Sequence, residues 1–221
     1  NVRAALAGLR FGGDAGDHGQ SVTFGSNAAA AGFTHIDTSL GGIGETVDID
    51  STAFANALTV DGGAAREVVV LGAGGSVVNA GAGADQVTVG ADNDGVHDDV
   101  INLGESGDVV LVTDAQLSAH LTVVGGGGGD RLIISDDAEI VDADLAGISE
   151  LEILKLSADA VDNAQSVTLA SNAASAGITT LDAADVGADD NVSINAAGFA
   201  NALDVTTSSG DDVIVLGSGG S

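Results

Sequence analysis

Carboxylates recur in this sequence at counted steps. Glu67-x-Val69, Ser76-x-Val78, Asp85-x-Val87 and Asp94-x-Val96 each set an acid or Ser two residues before a branched apolar residue, nine residues apart. After a shift of five residues the pattern resumes at Asp99-x-Ile101 and Asp108-x-Val110, again nine apart. The stretch "GGGGGDRLI" (Gly125–Ile133) carries the fullest form, Gly-Gly-x-Gly-x-Asp-x-apolar-x, with Asp130 as its acid. Glycines allow tight and left-handed turns, and a turn without side chains can aim its carbonyl oxygens inward. The Asp that follows adds a carboxylate. Hard cations such as calcium take six to eight oxygens at about 2.3–2.6 Å. The chemistry on offer is therefore oxygen coordination of Ca2+. The candidate ligands are Asp85, Asp94, Asp99, Asp108 and Asp130, joined by Glu67 and Asp212, with Gly81, Gly83, Gly126 and Gly128 in the turns that would cradle the ion.

Other chemistry finds little purchase. His18, His35, His97 and His120 are scattered and have no Cys partners, so a zinc site is not expected. "ADNDG" (Ala91–Gly95) lacks the first acid and the final Glu of a helix-loop-helix calcium loop. The glycine run at 125–129 lacks the Lys and Ser/Thr of a phosphate loop, and no nucleophile elbow or Ser-His-Asp spacing appears. No catalytic residue is assigned, and the chain is not expected to be an enzyme. Without Trp or Tyr, a stacking carbohydrate site is not expected either.

The spacing also dictates the scaffold. The apolar residue two places after each acid points into the core of a short strand. Nine residues make one turn plus one strand, half a coil of a flattened spiral. Coils stack at about 4.8 Å, which brings like turns together. Short Val-, Ile- and Thr-rich runs such as "SVTFG", "TVDID", "EVVVLG", "RLIIS" and "LEILKLS" recur between Gly- or Asp-rich turns. "SNAAAAG", "STAFANA" and Asp137–Leu151 are expected to add helical turns. The expected fold is all-β, a right-handed parallel β-solenoid. The alternative is a string of small β-sandwiches, which the five Phe of the chain disfavour because sandwich cores lean on aromatic anchors. The five-residue slip between Asp94 and Asp99 is where the row of acids is expected to break or bend.

A longer repeat encloses the short one. Ser21–Ser76 aligns without a gap on Ser166–Ser221 at an offset of 145 residues, with 27 of 56 positions identical, and Glu67 falls on Asp212. The chain divides into a first copy at 1–145 and the start of a second at 146–221, with the clearest nonapeptides at 62–112 and 125–133. Lacking any Met, it is expected to be a piece of a longer protein that carries more such units. The net charge of −28 argues against nucleic acid and anionic membrane surfaces, and favours cations that relieve the repulsion among packed carboxylates. No apolar run approaches the roughly 20 residues of a membrane span.

At these nonapeptides the sequence resembles the calcium-binding repeats of the repeats-in-toxin (RTX) group. The likeness is good at Gly125–Ile133, fair at Ala80–Thr88 and degraded at Gly62–Val70, where Ala65 replaces Gly and Glu67 replaces Asp. The remaining segments are similar, more diffusely, to long repeated regions of bacterial surface-layer and giant adhesin proteins. The resemblance implies a secreted bacterial protein at the cell surface that folds on meeting calcium. It implies a structural role as surface layer, adhesin stalk or filament, with self-association and a cell-surface polysaccharide as expected partners. The alternative is a non-catalytic calcium-binding secretion or spacer module of a secreted hydrolase or toxin.

Overall fold

The computed structural model describes residues 8–13, 19–91, 98–117, 120–157, 164–187 and 190–219. Along them run β1 (Gly8–Arg10), β2 (Gln20–Thr23), α1 (Ser26–Ala31), β3 (His35–Asp37), β4 (Thr46–Asp50), β5 (Thr59–Asp61), β6 (Arg66–Val70), β7 (Val77–Gly81), β8 (Gln86–Thr88), β9 (Asp99–Glu105) and β10 (Val109–Val112). The chain continues through β11 (Leu121–Gly127), β12 (Arg131–Ile134), β13 (Glu139–Ile140), β14 (Ile148–Ser149), β15 (Ile153–Leu156), β16 (Gln165–Thr168), α2 (Ser171–Ala176), β17 (Thr180–Ala183), β18 (Val192–Asn195), β19 (Asp204–Thr207) and β20 (Val213–Val215). Every pairing between these strands is parallel. Alternate strands fall into different sheets. Sheet A runs β1-β3-β5-β7-β9-β11-β14, sheet B runs β2-β4-β6-β8-β10-β12-β15-β17-β19, and sheet C runs β13-β16-β18-β20. This is a parallel β-solenoid. Strings of sandwiches are excluded, because their hairpins and Greek keys require antiparallel neighbours.

The apolar residue of each nonapeptide builds the interior. In sheet B, Ile49, Val69, Val87, Val110, Leu132, Leu154 and Leu181 stack in register, each at most 1% exposed. Sheet A answers with Ile36, Val60, Val78, Ile101 and Val123. Each such side chain removed from water contributes roughly 1.5–3 kcal/mol, so a thin core of small branched residues is sustained by repetition. Aromatics serve only as local plugs: Phe24 meets Phe33 and Phe54 edge-on, at ring-centroid distances of 5.4 and 5.9 Å.

One of the three expected helical segments differs from the expectation. Ser26–Ala31 and its repeat Ser171–Ala176 are helices, each closed by a left-handed glycine, Gly32 and Gly177. Ser51–Ala57 forms a turn instead. The Asp50 carboxylate accepts hydrogen bonds from the Thr52 N–H and hydroxyl, the local competition that draws short polar segments away from helix, and Phe54 is turned into the core. Asp137–Leu151 holds its helical turn as a 3-10 turn at Asp142–Leu145.

The long repeat does not map sheet onto sheet. β16 and β18 repeat β2 and β4 but lie in sheet C rather than B, while β17 and β19 repeat β3 and β5 but lie in sheet B rather than A. The changeover is the coil from β12 to β15, where β13 opens sheet C and β14 closes sheet A.

Candidate cation site along the buried acid column

The acids of the nonapeptides stand in a column at the mouth of sheet B. The Glu67 N–H donates to Asp85 Oδ1 at 2.7 Å, the Asp85 N–H to Asp108 Oδ1 at 2.7 Å, and the Asp108 N–H to Asp130 Oδ1 at 2.8 Å. Each carboxylate thus accepts from the backbone of the acid one coil before it. Two residues that the nonapeptide pattern did not reveal complete the column. Glu152 Oε2 accepts from the Asp130 N–H at 2.9 Å, and the buried Thr38 hydroxyl donates to Glu67 Oε1 at 2.9 Å. Glu152 follows Asp130 by 22 residues, the same interval that separates Asp108 from Asp130. That interval was the available signal, but the four residues before Glu152, "ISEL" (Ile148–Leu151), have none of the glycines that mark the other turns.

Nine-residue steps alternate between two sides of the spiral. Glu67, Asp85, Asp108 and Asp130 serve sheet B, while Ser76 stands just before the sheet A strand β7 and Asp99 opens β9, and the Ser76 N–H donates to Asp99 Oδ1 at 2.7 Å. Asp212 does the same for sheet C, accepting from the Val192 N–H at 2.9 Å. Asp94 lies outside the described residues, as do His18 and His97. The expected break at the five-residue slip does not occur. Both the Ser76–Asp99 and the Asp85–Asp108 bonds span it, because the parallel ladders hold on either side and the extra length falls in the connection between β8 and β9.

Glycines make room for the column. Gly81, Gly104 and Gly126 stack in register with φ of 110°, 103° and 99°, the left-handed region that side chains rarely tolerate. A Cβ on Gly83 would lie 1.9 Å from the Ala65 carbonyl oxygen and 2.3 Å from Asp85 Oδ1, so only glycine fits where the carboxylate folds back over its own turn. Gly128 has φ of 142° in the turn that leads into Asp130.

The electrostatics are costly. Glu67, Asp85, Asp108 and Asp130 are at most 1% exposed, and Glu67 Oε2 and the Oδ2 atoms of the three Asp have no hydrogen-bond partner. Burial, reinforced by the neighbouring acids, pushes Glu67 up to about 8 and Asp108 up to about 7 and raises Asp130, while burial alone raises Asp85. Among the described residues, no group of three or more His, Cys, Asp or Glu converges on one point, so no ready-made all-carboxylate cluster exists. What the column offers a cation is one orphaned, buried carboxylate oxygen per coil. That set fits an oxygen-seeking ion in charge and chemistry.

No helix among the described residues is long and apolar enough to cross a membrane. Comparison with known proteins finds no matching family model, no matching curated protein and no matching solved structure.

Proposed function

We propose that this chain is a structural element of an extracellular repeat protein, a calcium-stabilised rod that builds a bacterial surface layer, adhesin stalk or filament and performs no catalysis. The single observation that carries the reading is the column of buried acids with orphaned oxygens, set on a solenoid that repeats itself. Four buried carboxylates in file, within a chain of net charge −28, call for positive charge. Calcium bound between coils would use the orphaned oxygens of Glu67, Asp85, Asp108 and Asp130, couple ion binding to coil closure, and restrict folding to calcium-rich surroundings such as the cell exterior. Length is the natural product of such a unit, because each coil contacts only its neighbours and coils can be added without end.

Calorimetric titration with calcium at pH 7, in two buffers of different ionisation heat, tests the reading. Binding should release protons, since Glu67 and Asp108 hold protons near that pH. The double substitution Asp85→Asn, Asp108→Asn should abolish most of the binding. Absence of both heat and proton release would overturn it.

A further inference from the structure

The outer face of sheet B carries a charge pattern that the acid column does not explain. Outward side chains form two columns. One reads Asp48, Val68, Gln86, Val109, Arg131 across β4, β6, β8, β10 and β12, and the other reads Asp50, Val70, Thr88, Leu111, Ile133. Apolar outward residues are ordinary one at a time, but here they fill both of these columns on β6 and on β10, beside Arg66, which also faces out from β6 and donates to Gln86 Oε1 on β8 at 3.5 Å. Across five consecutive strands, β6 to β15, no outward position holds an acid, in a chain that has 33 of them. Three of the five Lys and Arg, namely Arg66, Arg131 and Lys155, sit on this face. Lys155 is already neutralised by Asp182 and Asp185, at 3.2 and 2.5 Å. Arg131 is exposed and forms no ion pair among the described residues, and Asp48 is exposed at the other end of the same column.

Read from β4 to β12, the face runs acid, apolar, neutral polar, apolar, base. The column from Asp48 to Arg131 is antisymmetric in charge about β8 and so complementary to itself, while in the second column Asp50 has the apolar Ile133 at the matching end. We propose that sheet B is the isologous interface of a homodimer, with the two-fold axis lying along β8 between two facing sheets and the solenoid axes antiparallel. Rotation about that axis sets β4 against the partner's β12 and β6 against the partner's β10. Asp48 then meets the partner's Arg131, Val68 meets the partner's Val109, Val70 meets the partner's Leu111, and Gln86 and Thr88 meet their own copies. An isologous contact makes each of these pairs twice. Sheets packed this way lie about 10 Å apart.

The patch is narrow, five strands at about 4.8 Å each, well short of the roughly 800 Å² per partner of a standard interface. The dimer is accordingly weak for one unit. This pairing is lateral and goes beyond the proposed rod, whose growth is along the axis.

Sedimentation equilibrium of the chain over a range of concentrations tests it, in calcium and in chelator at near-physiological salt, wherever circular dichroism shows the fold intact. The expected result is a concentration-dependent monomer–dimer equilibrium. Leu111→Asp, and each single reversal Asp48→Arg or Arg131→Asp, should weaken it about tenfold or more, while the double reversal Asp48→Arg, Arg131→Asp restores it. If Leu111→Asp fails to fold, the exposed charge pair decides alone. A chain that stays monomeric up to its solubility limit, or a dimer indifferent to both single reversals, overturns the proposal. Neither outcome bears on whether calcium binds.

Discussion

Asp108 shows how one residue carries two opposed duties. Its Oδ1 is an acceptor that the Asp85 backbone needs, while its Oδ2 is buried without a partner. Asp108→Ala leaves the Asp85 N–H unsatisfied and should cost about 1–3 kcal/mol of unfolding free energy in a urea titration. Asp108→Asn keeps the acceptor and removes the charge, so in chelator at pH 8 it should be less damaging than Asp108→Ala. The sign of the pH dependence follows from the raised values. Glu67 at about 8 and Asp108 at about 7 keep their protons in the folded chain where unfolded carboxyls have lost theirs. Without a cation the contribution is therefore fully present below the ordinary carboxyl range, and it is lost as pH rises through about 7 and 8. Thermal melts in chelator should show a melting temperature that falls from pH 5 to pH 8.5. These residues were legible in the sequence because acid, turn glycine and strand apolar residue repeat together. Thr38 and Glu152 were not, because nothing local marks a hydroxyl or a glycine-free acid that becomes a neighbour only when coils stack.

At the scale of elements, the two helices make a natural experiment. α2 rests on the 3-10 turn below it, where the Asp142 carboxylate accepts from the N–H groups of Ala170, Asn172 and Ala173, and Ala173 and Ala176 are buried. α1 has nearly the same sequence, but no side-chain cap and no buried residue. Asp142→Ala should lower stability by about 1–2 kcal/mol in a denaturant titration, and it should do so by loosening α2 while leaving amide exchange in α1 unchanged. Within the strands, Leu132→Ala removes a fully buried link of the sheet B ladder and should cost about 2–5 kcal/mol. The strands could be read because alternation and the nonapeptide agree on which residue faces inward. The helices could be read only in part. "SNAAAAG" and "STAFANA" look alike as composition, and the choice between helix and turn was made by Asp50 and by where Phe54 had to go.

For the whole molecule, the long repeat does more than lengthen the rod. Corresponding strands of the two copies lie in different sheets, B and C in place of A and B. A feature carried on one side of one unit is therefore carried on another side in the next. The parallel spiral itself could be read from nine-residue spacing, but this handover could not. It depends on the number of strands in the coil from β12 to β15, where three sheets meet and no nonapeptide sets the count. The acid column runs through the changeover as far as Glu152, so neutralising it concerns the first unit as a body, not a single turn. Melting temperature followed by circular dichroism at pH 8, in calcium and in excess chelator, tests that claim most directly. A calcium-closed column predicts a large upward shift in calcium, one that shrinks as the pH is lowered to 5 and protons take over the neutralising role. The same melting temperature in calcium and chelator at pH 8 would contradict it.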